Sequence, residues 1–289
     1  MKVFLLALLF AAPMPVMAST LTEIRGCTLV ATNWADGDSF RIRTPTGEEH
    51  TARLYGADCL EWHVTDDSDA RRLRAQRRYF GITKVGGSPA ASIKLGKHYG
   101  ELAAKEITNA LAKPFVIYSS FADARGDGKY QRIYAFVTTA DGKDLAEHLV
   151  SLGLARAFGV SRKTYDGRSR EEYRAHLADV ELLAARKSLG VWSKTEWENL
   201  PNERRDQRLE DEEFDLATGT ATLDDGEKLN PNTAARDELM RLPGIGETLA
   251  NRIIEERPYS SAQDLSTVNG IGDETLKKIR IFLDFTPAK

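Results

Sequence analysis

Apolar and polar residues alternate through the early part of the chain and then shift to a longer period. Phe40 and Ile42 alternate with Arg41 and Arg43, which predicts a strand over residues 39–43, and residues 28–34 are strand-like as well. Pro45-Thr46-Gly47 reads as a turn, after which Thr51 to Tyr55 returns as a further strand. Leu102, Ala103, Ile107, Ala110 and Leu111 fall at helical spacing, so a helix is expected from near Tyr99 until Pro114 stops it. Phe115 to Ser119 and Gln131 to Thr138 read as a hairpin around the turn Asp123 to Gly128. Two more helices are expected, Leu145 to Leu152 and Arg168 to Lys187, closing at Gly190 and Trp192. Strands in this number, with one helix between the third and fourth, predict an α+β fold built on a small five-stranded Greek-key barrel.

The N-terminus follows neither period. Lys2 precedes the apolar run Val3 to Ala12, then Pro13 and the small or apolar Val16-Met17-Ala18. That run is shorter than the roughly 20 residues a membrane-spanning helix needs. Residues 1–18 therefore read as a cleaved signal peptide, with an uncleaved anchor as the alternative, and after cleavage the mature chain from Ser19 is expected to be exported, periplasmic or secreted, and off the membrane. About 270 residues remain, a length that suits two domains.

Charge divides the mature chain more sharply than the net value of −3 suggests. Ser19 to Thr195 carries 27 basic and 22 acidic residues, Glu196 to Glu227 carries 3 and 12, and Lys228 to Lys289 balances at 9 and 9. A polyanion-binding front domain (19–195), an acidic linker (196–227) and a neutral tail domain (228–289) follow from this partition. Export permits a disulfide between Cys27 and Cys59, the two cysteines present, and no Cys/His pair has zinc spacing.

The front domain concentrates carboxylates and guanidinium groups. Asp36-Gly37-Asp38-Ser39-Phe40-Arg41-Ile42 puts two acids at a turn entering a strand, Arg53 to Glu61 delivers Asp58 and Glu61 behind Arg53, and Lys129-Tyr130-Gln131-Arg132 follows later. Acids at this density need a compensating cation, and a hard dication such as calcium suits all-oxygen donors. Arginine forks fit phosphate through paired hydrogen bonds. Taken singly each residue has a structural alternative: Asp36-Gly37-Asp38 as a turn signal, Arg53 paired to Glu48 or Glu49, Arg132 as a hairpin charge, Glu61 as a cap.

The order DGDSFRI, ARLYGADCLE, YGE, KYQRIYAFV, DLAEHLVSLGLARA and AARKSLGVWS resembles the staphylococcal nuclease (thermonuclease) family over about residues 25–195. The resemblance implies an OB-type five-stranded β-barrel with three helices. It implies calcium held by the Asp38 and Asp58 side chains and the Cys59 backbone carbonyl, with Asp36 behind them. Glu61 would act as general base, Arg53 and Arg132 would neutralise transition-state charge, and Lys129 and Tyr130 would touch phosphate. DNA and RNA would both be cut, leaving 3′-phosphates. Cys59 stands where the family usually has threonine, and the expected stacking tyrosines give way to Phe158-Gly159-Val160 with Tyr165 nearby.

Residues 62–98 contain an insertion relative to the short staphylococcal form and carry eight basic and three acidic residues. Arg71, Arg72, Arg74, Arg77 and Arg78 either gather phosphate beside the site or line the solvated face of a helix that packs Leu73 and Tyr79 on the barrel. Pro201 to Glu227, with Glu210-Asp211-Glu212-Glu213 at its centre and no apolar period, is expected to be disordered or weakly helical. It would serve as a spacer or compete with DNA for the basic insertion.

The tail repeats itself. Leu242-Pro243-Gly244-Ile245-Gly246 recurs as Val268-Asn269-Gly270-Ile271-Gly272, each between helical patterns. This is the helix-hairpin-helix signature, and residues 228–285 resemble the tandem DNA-binding domain of the competence protein ComEA. The resemblance implies a small all-α domain gripping duplex DNA without sequence preference through Gly244, Ile245, Gly246, Gly270, Ile271 and Gly272. Lys277 and Lys278 would add phosphate contacts, as could Arg280. The expected protein is an exported calcium-dependent nuclease whose partner is nucleic acid, with no obligate protein partner evident. The alternative is a non-catalytic nucleic-acid or DNA-uptake receptor with an inactive barrel.

Overall fold

A computed structural model describes residues 21–121, 132–217, 223, 227–234 and 236–285. Its strands close in the order β1 (Thr22–Val30), β2 (Ser39–Arg43), β3 (Glu49–Leu54), β6 (Arg132–Thr138), β5 (Phe115–Ser119) and back to β1. Every pairing is antiparallel except β3 with β6, which runs parallel from Thr51 opposite Arg132 to Leu54 opposite Ala135. Phe40, Ile42, Ala52, Leu54, Phe115, Ile117 and Ile133 are buried inside this barrel, as period-two alternation requires. A separate two-stranded pair, β4 (Ala57–Cys59) with β7 (Ala155–Ala157), places Asp58 opposite Arg156.

Strand β1 starts earlier than the apolar pattern indicates. A register shift between Arg25 and Cys27 divides it, so residues 22–27 pair with β5 while residues 28–30 pair with β2. That irregularity breaks the alternation on which strand prediction depends. The insertion forms α1 (Asp67–Tyr79), capped by Asp66, whose side chain accepts from the Asp69 amide. Leu73 and Tyr79 pack against the core as expected. Helix α2 (Pro89–Ala110) begins ten residues before Tyr99, from the cap Ser88 and a proline in its first turn. Two helices, rather than one, thus separate the third and fourth barrel strands. Helices α3 (Leu145–Ser151) and α4 (Arg170–Arg186) close the front domain.

Of the two states expected for the acidic stretch the helical one is found: Leu200–Ala217 forms a helix, α5, seated on α1. Its hold is largely polar, which is why no apolar period announced it. Glu210 pairs with both Arg74 and Arg78, Gln207 accepts from Arg78 at 3.1 Å, and Arg204 donates to the Tyr79 carbonyl at 3.2 Å while its guanidinium lies over the Tyr79 ring.

The tail contains α6 (Arg236–Leu239), α7 (Glu247–Glu255) and α8 (Asp273–Ile279), around Leu239, Leu242, Ile253, Leu265, Val268 and Ile279. Leu229 bridges Leu283, bringing the two ends of the tail domain together. The tail meets the front domain through Glu255, which accepts from the Ser161 amide at 2.9 Å and pairs with Arg174 at 2.5 Å. Among the described residues no helix is long and apolar enough to cross a membrane. The proposed signal peptide lies outside the described residues.

Candidate active site

The turn before β2, the end of β3, the β4 segment and the start of β6 contribute one cluster of acids and arginines. The turn is tied down locally: the Asp36 amide donates to the Ser39 carbonyl at 2.8 Å, and the Asp38 carbonyl accepts from the Leu54 amide at 2.9 Å. Close packing fixes its sequence. A Cβ at Gly37 would lie 2.5 Å from the Ala103 Cβ and 2.7 Å from the Cys59 Sγ, and one at Gly100 of α2 would lie 2.2 Å from the Leu60 carbonyl oxygen. Helix α2 therefore presses directly on the backbone beside Glu61.

Arg53 bridges Asp38 of this turn and Asp58 of β4. Its Nη2 donates to Asp58 Oδ1 at 3.0 Å, while its Nη1 lies 3.4 Å from Asp38 Oδ1 and 3.4 Å from Ser39 Oγ. Asp38 Oδ2 accepts from the Cys59 amide at 2.8 Å. Asp58 Oδ2 accepts from Arg156 Nε at 2.8 Å and from Gln76 Nε2 at 3.0 Å. Gln76 also donates to the Cys59 carbonyl at 2.7 Å and accepts from the Glu61 amide at 2.9 Å. Arg72 Nε lies 3.4 Å from Glu61 Oε1. Asp38, Asp58, Glu61 and Arg53 are all buried, each at most 6% exposed.

Charges this crowded shift one another. Burial pushes Glu61 up to about 7; Arg72 opposes the rise, while Asp38 and Asp58 add to it. Burial and the neighbouring Glu61 and Asp38 raise Asp36 to about 8, against the pull of Arg132 and Arg53. Arg132 is thus electrostatically part of the cluster from its half-buried place opposite Thr51. Burial acts against ionisation of Asp58 too, but Arg156 and Arg53 outweigh it and hold that carboxyl at about 2. Burial pushes the Cys59 thiol well above its ordinary range, with Asp38 and Asp58 adding. Cys27 and Cys59 are both free, not bridged.

Residues 52–194 match the family described as Staphylococcal nuclease homologue. The front domain belongs to that family. Residues 224–284 match the Helix-hairpin-helix motif, so the chain joins a nuclease-like domain to a DNA-binding motif. A stretch of 58 residues is 40% identical to the endonuclease/exonuclease/phosphatase family domain-containing protein 1 of Xenopus laevis. The proteins of that name from Mus musculus and Homo sapiens match to the same degree. The match takes in 19% of this chain and 10% of each relative, so the chain spans about a tenth of the length of the curated relatives it matches.

The nuclease-homologue domain uses its inserted arginines unevenly. Arg72 reaches Glu61 and Asp69, the latter at 2.7 Å. Arg77 is buried and donates to Ser92 Oγ at 2.9 Å, tying α1 to α2 instead of facing substrate. Arg74 and Arg78 are held by Glu210, and Arg71 remains exposed with its Nε 3.3 Å from the Asp67 carbonyl. Lys129 and Tyr130 lie outside the described residues. Among the described residues no group of three or more His, Cys, Asp and Glu stands together as a metal cage.

In the tail, Gly244 and Gly270 adopt left-handed φ values of 76° and 103°, and Gly246 and Gly272 cap α7 and α8. Ile245 and Ile271 are buried, so they hold the hairpins from inside. Lys278 is exposed, as is Lys277, which pairs with Glu274 at 2.7 Å.

Sequence reasoning missed Gln76 and Arg156 as members of the cluster. Arg156 sits in the quoted run GLARA, but only the β4–β7 pairing puts it opposite Asp58. Gln76 lies within the insertion and carries no signal of its own.

Proposed function

We propose that this protein is an exported, calcium-dependent nuclease that hydrolyses phosphodiester bonds of DNA, with RNA as a second candidate substrate, and that its tail binds duplex DNA without sequence preference. The observation that carries the reading is the cluster around Arg53, in which Glu61 is poised near neutrality beside two arginines and two further acids. A general base works best with a pKa near the working pH, and Glu61 at about 7 meets that condition. Glu61 takes a proton from the attacking water. Arg53 and Arg132 supply fixed positive charge as negative charge builds on the phosphoryl oxygens, where preorganised donors contribute most.

The donors are all oxygens, the kind a hard cation takes. Asp36 Oδ1 is buried without a hydrogen-bond partner, and burial, with the neighbouring Asp38 adding to it, raises both Asp36 and Glu61. Asp38, Asp58 and the Cys59 carbonyl would hold calcium, with water or phosphate completing an oxygen shell larger than the protein itself provides. Bound calcium supplies Lewis-acid polarisation of a nonbridging phosphate oxygen. Gln76 and Arg156 keep Asp58 ionised and oriented for that task.

A receptor with an inactive barrel would have no use for a buried glutamate held beside Arg72 and the Arg53-bridged pair Asp38 and Asp58. Supercoiled plasmid, linear duplex and RNA, each incubated with calcium or with excess chelator, separate the readings. Cleavage is expected with calcium and should vanish on chelation. Intact substrates under every condition would leave only nucleic-acid binding, and cleavage in excess chelator would remove calcium from the reading.

A further inference from the structure

We propose that Gln76, on the inserted helix α1, is a positioning residue for the candidate active site: its one buried amide sets the Asp58 carboxylate, the Cys59 carbonyl and the Glu61 backbone relative to each other. Its kinetic consequence rests on the nuclease reading; its structural one does not.

The chemistry of a primary amide fixes how Gln76 must lie. A backbone N–H can only donate, so the Glu61 amide selects Oε1, at 2.9 Å. Asp58 Oδ2 and the Cys59 carbonyl can only accept, so both amide hydrogens are spent on them, at 3.0 and 2.7 Å. Turning the amide over would set donor against donor once and acceptor against acceptor twice. The side chain is fully buried, so no solvent offers another arrangement. Three points separated by no more than three residues of chain are therefore held by one rigid plane.

The helix bearing that plane is itself anchored. Leu73 is buried in the barrel core, and Arg77 donates to Ser92 Oγ at 2.9 Å, which in turn donates to the Ile82 carbonyl at 2.7 Å. Arg72 stands four residues before Gln76, on the same helical face. It approaches the Glu61 carboxylate at 3.4 Å while Gln76 holds the Glu61 backbone. The insertion thus meets the acid cluster through neutral and basic side chains together, a role distinct from gathering phosphate at a distance.

The test compares the full-length wild type with Gln76→Leu and Gln76→Glu. Leucine removes all three hydrogen bonds; glutamate keeps an acceptor for the Glu61 amide but sets an acceptor against Asp58 and the Cys59 carbonyl. On supercoiled DNA with calcium, each variant should lose about 10²-fold or more in kcat with KM changed less than about threefold, as expected for displaced reacting groups. Amide hydrogen exchange at Glu61 should quicken by about 10²-fold in Gln76→Leu, while the barrel amides of Ile42 and Ala52 keep their protection. A kcat within about threefold of wild type overturns the proposal. So does an equal loss of protection throughout the barrel, which marks general destabilisation. Wild type inactive on every substrate defeats the nuclease reading only, and unchanged Glu61 exchange in the variant then overturns the positioning role. Should Gln76→Leu fail to fold, Gln76→Glu carries the kinetic comparison and Gln76→Ala the exchange comparison.

Discussion

Replacing Arg156 with methionine should expose how much the buried ion pair with Asp58 is worth. Asp58 is 1% exposed and accepts from three side chains: Arg53, Gln76 and Arg156. Arg156→Met takes away the shortest of these bonds, at 2.8 Å, and strands part of a charge that water cannot reach. Breaking a buried pair costs about 3–5 kcal/mol when nothing else compensates. Because Arg53 and Gln76 remain, the loss should fall near the bottom of that range, about 3 kcal/mol. Against burial, Arg156, Arg53 and Gln76 together hold the carboxyl down from its ordinary 3.8 to about 2, a net depression of about 2 kcal/mol shared among the three. The sign follows from a lowered acid: its stabilisation is present above the unfolded value and is lost as pH falls towards 2. Urea denaturation in chelator should therefore show the full penalty at pH 7 and a clearly smaller one at pH 3. Adding Asp58→Asn to Arg156→Met should recover part of the loss, since the stranded charge is gone. A penalty below about 1 kcal/mol at pH 7, or one equal at both pH values, would refute the argument.

Other consequences can be checked separately. Glu61→Gln and Arg132→Ala should each lower kcat by about 10³-fold with the fold intact, and near-normal turnover of either purified variant removes that residue from the mechanism. Asp36→Asn should stabilise the calcium-free protein at pH 8. The raised acid favours the folded state at low pH and loses that advantage as pH climbs from about 4 to about 8. The gain should therefore shrink at pH 5; a melting temperature shifted equally at both pH values contradicts it. Glu210→Ala releases Arg74 and Arg78, so duplex affinity at low salt should rise by about three- to tenfold, and an unchanged anisotropy titration would mean those arginines never meet DNA. Ending the chain before Lys228 should weaken duplex binding and flatten its salt dependence, whereas an unaltered slope assigns the tail to packing alone.

The parts of the fold legible in the sequence are those whose contacts are written in apolar residues at a regular period. Phe40 and Ile42 mark β2 because both point into the core while Arg41 and Arg43 point away. The first half of α2 was illegible because its buried face is built from Ser92, Gly96 and Gly100, small residues that let the helix approach closely without adding hydrophobicity. Helix α5 was illegible for a different reason: its grip on α1 comes through Arg204, Gln207 and Glu210, which read as solvent-facing in one dimension. The cluster divides in the same manner. Asp36, Asp38, Arg53, Asp58 and Glu61 occupy short runs whose spacing is itself informative. Gln76 and Arg156 take their place only once α1 and β7 have been brought to β4, and no local pattern encodes that meeting.

The enclosure of the two thiols bears on the redox conditions the protein can withstand. Cys27 lies in a bulged strand of the barrel and Cys59 beneath the Asp36–Asp38 turn, neither bonded to the other and both shut away from solvent. A thiol so enclosed, and with its ionisation so disfavoured, is a poor target for oxidants or exchange catalysts. The folded protein should therefore tolerate either an oxidising or a reducing milieu.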